Sequence, residues 1–271
     1  MRSSHPLFRA GLTLGAQSLA SVTNFAATAL ALSAGDLGEF GRFAIAFQLC
    51  QVVVVVANGA VGDVVLIHTS RGRGDRSTAD LRDGAVTTGM LLGLGASVCF
   101  VIGAVAAPDM RTPLLLAAAG APAIFAQYTL RARRYADDDP GGVMLADLIW
   151  LLVVVAGGLV DAAGWDATPN DYLAIWLLGA ALSGAPAIYA GITRGRRHVG
   201  AFWDATGTQL MKLAAEGLLA RSVFVVSLIA TEIVLDTAAS GALAAAVLVL
   251  SPMTVVHTAA SSVIVPREVA L

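Results

Sequence analysis

Eight stretches of about twenty predominantly apolar residues follow one another along the chain, each long enough to cross the hydrocarbon core of a bilayer as a helix. They run Gly11–Ala34, Phe43–His68, Ala85–Ala107, Pro113–Leu130, Val143–Val160, Tyr172–Ile192, Leu213–Ile233 and Gly241–Val265. Backbone polar groups in lipid must be satisfied within the segment, so the spans are expected to be helical. The short alternating segments of a membrane barrel are absent. Of the 271 residues only 13% are charged, about half the share usual in a soluble domain. The reading is an all-α polytopic membrane bundle of about eight helices. The first apolar stretch is too long for a cleaved signal and lacks a cleavage site.

The basic residues order these spans. Fourteen of the 17 Lys+Arg fall on one side when the loops alternate. They are Arg2, Arg9, Arg71, Arg73, Arg76, Arg82, Arg131, Arg133, Arg134, Arg194, Arg196, Arg197, Lys212 and Arg267. Arg42 and Arg111 lie opposite, and Arg221 is inside the seventh span. Loop cations mark the cytoplasmic side. Both termini are therefore expected in the cytoplasm, with the protein in the inner membrane. Tyr172, Trp176 and Trp165 stand where an outer aromatic belt would lie.

A shift of 200 residues superposes the first two spans and their connecting loop on the last two. Leu19 meets Leu219, Asp36 meets Asp236, and Gly41 meets Gly241. Six spans return the chain to the same side, so the repeats are parallel, related by an axis along the membrane normal. The expected division is a six-helix lobe over 1–200 and two helices of a second lobe over 201–271.

Polar residues form stripes within the apolar spans. Gln17, Ser21, Asn24 and Thr28 share one helical face of the first span, and Gln48, Gln51 and Asn58 share one face of the second. The 200-residue shift maps Gln51 and Asn58 onto Ser251 and Thr258, and Ser21 onto Arg221. Facing stripes would line a hydrophilic cavity; the alternative is hydrogen bonding between neighbouring helices. Arg221 is the most costly of these residues, at about 2.5–3.5 kcal/mol for a central arginine. It calls for water, an acid or an anionic ligand. Glu216 stands five residues earlier, off the same helical face. Asp63 and Asp147 are placed near the cytoplasmic ends of their spans, within reach of headgroup water. His257 lies in the eighth span. Glu216, Asp63, Asp147 and His257 are the candidates for ion coupling or an inter-lobe ion pair. Cys50 and Cys99 read as small packing residues. No soluble-enzyme motif, metal-ligand spacing, cofactor fingerprint or nucleic-acid signature is present. Asp137–Asp139 read as a solvated loop beside Arg133 and Arg134.

The run Ser21-Val-Thr-Asn24-Phe25, with Gly35-Asp-Leu-Gly38-Glu39-Phe40-Gly41-Arg42-Phe43 after it, resembles the N-terminal signature of polysaccharide and O-antigen flippases. These belong to the multidrug/oligosaccharidyl-lipid/polysaccharide (MOP) exporter superfamily. Gln127-Tyr-Thr-Leu-Arg131-Ala-Arg-Arg134-Tyr135-Ala with Asp147-Leu-Ile-Trp150 is similar to the fourth and fifth spans of that group. Glu216-Gly-Leu-Leu-Ala-Arg221 is similar to its seventh-span entry, and Pro252 to a proline in its eighth. The resemblance implies a V-shaped bundle of two six-helix lobes around a cavity. Such proteins use alternating access to move lipid-linked oligosaccharide, or drugs in a sister branch. Against that pattern helices nine to twelve are missing, so a truncated chain is expected, inactive alone and needing a second copy or a separate C-terminal lobe. A cation-coupled multidrug exporter and a non-transporting scaffold subunit are the alternatives.

Overall fold

The computed structural model describes residues 6–71, 76–193 and 195–249, and among them there is no strand. Helix α1 is Pro6–Ser33 and α2 is Leu37–Ala57. A π-helical turn, Asn58–Asp63, joins α2 to α3, Val64–Arg71. Then come α4, Arg76–Ala106, α5, Arg111–Ala136, and α6, Pro140–Val160. Helix α7 is Pro169–Thr193, α8 is Val199–Val234, and α9 covers Thr237–Val249 of the described residues. Six uninterrupted helical stretches, Leu37–His68 being the first, are long and apolar enough to cross a membrane. Helix α1 is not among them, because Gln17, Asn24 and several hydroxyls lower its hydropathy.

Local signals explain the helix ends. Asp36 accepts a hydrogen bond from Glu39 N, and Asp139 one from Gly142 N, each serving an orphan amide of the helix that follows. Pro140 and Pro169 occupy first helical positions, where the missing N–H costs nothing. The turn after α6 closes through Gly164 at φ 107°, a conformation that favours glycine.

Three spans are longer than the sequence reading made them. Helix α2 begins at Leu37, six residues before the expected Phe43. Helix α5 runs on to Ala136, so Arg131, Arg133 and Arg134 are helical and not loop residues. Helix α8 has 36 residues, about 54 Å at 1.5 Å per residue, well beyond the bilayer core of roughly 30 Å. Lys212 therefore belongs to a helix and not to the connecting loop. At that end, a side chain at Gly84 of α4 would strike the backbone of His198, immediately before α8.

Helix α5 is the most buried span and α8 the least. An aromatic seam runs through the core. Phe40, Phe43 and Phe47 stack along α2, and Phe47 meets the edge of Trp176 at 5.0 Å. Trp150 continues it, with its ring 5.0 Å from Trp176 and its N–H donating to the Trp176 carbonyl at 2.7 Å. Such aromatic pairs contribute about 0.5–1.5 kcal/mol each beyond the area they bury. This corrects the expected belt: Tyr172 and Trp176 are fully buried, and Trp165 alone of the three is exposed. Cys50 packs in the core as expected, whereas Cys99 is exposed.

The shifted pair Gly41 and Gly241 meet directly. A Cβ on Gly41 would strike the carbonyl oxygen of Thr237 and lie 3.1 Å from Gly241 N. A Cβ on Gly241 would strike the carbonyl oxygen of Leu37 and lie 3.2 Å from Gly41 N. Residues 37 and 41 thus meet 237 and 241 reciprocally, as across a two-fold axis.

Candidate functional site

Two cavities open beside the polar stripes. The first, about 420 Å³, is formed by α1, α2, α8 and α9. Ser21, Asn24, Thr28, Gln48, Gln51 and Arg221 supply its polar wall, and Phe25, Phe47 and Phe224 part of its apolar one. The second, about 300 Å³, lies between α1, the π turn and α5. Gln17, Ser21, Asn24, Gln51, Asn58, Asp63, Tyr128, Arg131 and Tyr135 line it. Ser21, Asn24 and Gln51 belong to both walls, so the two form one polar cleft. Every described residue of the expected cavity lining is in it; Ser251, Thr258 and His257 lie outside the described residues.

Secondary structure brings these groups to one wall. Offsets of 4 and 7 on α1 align Gln17, Ser21 and Asn24. The π turn pairs residues five apart, so Asn58 and Asp63 both reach the second cavity although an α-helix would set them on different faces. Sequence periodicity alone gave no sign of that turn.

At one end of the cleft Arg221 is partly buried. Its Nη2 donates to Gln48 Oε1 at 2.8 Å, tying α8 to α2, and its Nε is buried without a partner. Glu216, by contrast, is exposed. At the other end stands an ion pair that the sequence reading missed. Arg131 and Asp147 are both buried and hydrogen-bonded to each other. Gln127 Nε2 donates to the same carboxylate at 3.3 Å, and Arg131 Nη2 reaches Gln17 Oε1 at 3.4 Å. The Arg131 guanidinium also stacks 5.4 Å from the Tyr128 ring centre. Asp147 is therefore corrected from a headgroup-facing acid to a buried one. It lies a full turn and more inside α6, and its cation is on α5, within the first six-span unit and not between lobes. Asp63 is exposed, but toward the second cavity.

The basic loops gather at the end of the bundle away from Gly41. There Arg133 Nη1 meets Asp83 Oδ1 at 2.9 Å, and Arg82 pairs with Asp137. The acid run Asp137–Asp139 is thus partly engaged in ion pairs. No group of three metal-ligating acids, histidines or cysteines occurs among the described residues.

No protein-family model matches the chain, and no curated protein is similar to it. A solved structure does match: a MOP superfamily transporter from Pyrococcus furiosus Vc1, in which reverse polarity of the binding pocket suggests a different function. The TM-score is 0.66 at 13% identity, over 94% of this chain and 62% of that one. The protein is a polytopic membrane helical bundle with the fold of a MOP superfamily transporter. It spans about 62% of that transporter's length.

Proposed function

We propose that the protein is a membrane transporter subunit that flips lipid-linked oligosaccharide across the cytoplasmic membrane by alternating access. Residues 1–200 would form its first lobe, and α8 and α9 would open the second. The observation that carries the reading is the polar cleft between α1, α2 and α8, with Arg221 held at its wall. A cation inside an apolar bundle is tolerated where water or an anion offsets its desolvation. The diphosphate of a lipid carrier supplies that anion, and its glycan suits the amides and hydroxyls along the stripe. The apolar rings of Phe25 and Phe224 leave room for the lipid end.

The exposed apolar face of α8, including Leu219, Val223 and Val226, is proposed to be covered by further helices, from a second copy or from a separate second lobe. A cation-coupled exporter is the second reading, and the buried Asp147–Arg131 pair beside the cleft favours it.

Complementation of a flippase-deficient strain tests the proposal, with the protein alone and with a supplied second lobe. Growth restored in either arm and lost with Arg221→Ala supports it. Restored drug resistance without glycan export favours the exporter.

A further inference from the structure

The amides of the cleft are oriented, and their orientation follows from the groups that bind them. Trp176 Nε1 donates to Asn24 Oδ1 at 2.9 Å. An indole can only donate, so the oxygen of Asn24 must face it. The amide nitrogen is then left on the other branch. Arg221 Nη2 donates to Gln48 Oε1 at 2.8 Å, and a guanidinium likewise only donates. Gln48 too keeps its nitrogen free of that bond. Gln51 stands one turn further along α2, only 7% exposed, and its Nε2 is buried with no partner. Arg221 Nε is in the same condition. All four side chains line the first cavity.

An unpaired buried donor costs the full desolvation of the group. Two such donors on one cavity wall, beside two amides whose oxygens are already engaged, make a surface that lacks acceptors from its ligand. The hydroxyls complete the pattern. Ser21 donates to Gln17 O at 3.0 Å and Thr28 to Asn24 O at 2.8 Å, so their oxygens present lone pairs. Asp63, the acid of the cleft, lies in the second cavity and not in the first. A phosphate carried on a hydroxyl-bearing group satisfies both kinds of wall.

Building on the proposed transport cleft, we infer that Asn24, Gln48 and Gln51 donate their amide N–H groups, together with Arg221 Nε, to an oxyanion of phosphate type. Trp176 is the positioning residue that fixes the donor polarity of Asn24. The site rejects cations, because turning Asn24 over would set its N–H groups against the indole N–H.

The test uses the protein in phosphatidylcholine nanodiscs and measures binding of labelled inorganic pyrophosphate. Wild type binds. Gln51→Glu, of the same shape but without the donor, weakens binding about tenfold, as does Gln51→Met, which adds no charge; a hydrogen bond to a charged group is of that order. Trp176→Phe keeps an aromatic ring against Phe47 but frees Asn24 to turn. It lowers pyrophosphate affinity while raising that for tetraphenylphosphonium, a divergence that simple loss of packing does not produce. Competition by a polyprenyl diphosphate separates the sources: tighter binding than pyrophosphate supports a lipid headgroup, and equal binding supports a soluble anion. No binding by wild type, or unchanged binding by both Gln51 variants, overturns the site. Pyrophosphate binding with this dependence in a protein that fails to complement leaves the anion site standing and removes the flippase reading. Complementation without pyrophosphate binding does the reverse.

Discussion

Gly41 of α2 and Gly241 of α9 touch backbone to backbone, each filling the space where the other's side chain would be. Lipid tails are as apolar as leucine, so helices in a membrane associate through close packing, and small residues permit it. Gly41→Val is expected to destabilise the solubilised protein by about 1–3 kcal/mol through overpacking. Gly95→Ala in α4, where a side chain meets nothing within 4 Å, should be neutral or slightly stabilising. Thermal unfolding in detergent compares the two. Equal melting temperatures for Gly41→Val and wild type would show that the contact is loose.

The buried pair Arg131–Asp147 makes a second expectation. Removing one partner leaves a charge unpaired, which costs about 3–5 kcal/mol, whereas replacing both by apolar residues is often neutral or better. Asp147→Leu should therefore lower the melting temperature sharply, and Arg131→Met with Asp147→Leu should recover it. Failure of the double variant to recover would mean that the carboxylate does more than neutralise Arg131.

Cysteines placed along the cleft should be wet. In a background lacking Cys99, positions 17, 24, 51 and 58 are expected to react with a membrane-impermeant thiol reagent in the assembled protein. Positions 105 and 152, exposed apolar residues on the outside of the bundle, serve as lipid-facing controls. Reaction no faster than at the controls would support simple helix bridging by the polar stripes.

Orientation is open to the same chemistry. Reagent added outside intact cells should label a cysteine at Trp165, in the turn after α6, and not one at Arg197, between α7 and α8. The reverse pattern would invert the assignment of both termini to the cytoplasm.

What the sequence conveyed follows from what periodicity can carry. Runs of twenty apolar residues announce helices, and offsets of 3, 4 and 7 announce faces, so the bundle and the Gln17–Asn24 and Gln48–Gln51 stripes were legible. The meeting of Gly41 and Gly241 was foreshadowed by their alignment at a shift of 200. The Arg131–Asp147 pair was not, because hydropathy ends a span at its first arginine, and α5 in fact continues past Arg131 with the charge neutralised across the helix interface. Tyr172 and Trp176 misled for the same reason: amphipathic rings suit either a membrane surface or a buried position with a hydrogen-bond partner. The partners, Asp161 for the Tyr172 hydroxyl and Asn24 for the Trp176 N–H, emerge only from the fold. The π turn at Asn58–Asp63 has no periodic signature, and with it went the place of Asp63.

The central claim is that the cleft carries a phosphate-bearing lipid past Arg221. The most direct measurement is translocation of a polyprenyl-diphosphate-linked oligosaccharide in proteoliposomes, with the helices that cover α8 supplied. Wild type should translocate, Arg221→Ala should lose at least about tenfold, as expected for a lost bond to a charged group, and Arg221→Lys should retain part of the rate. Equal rates for all three would contradict the account.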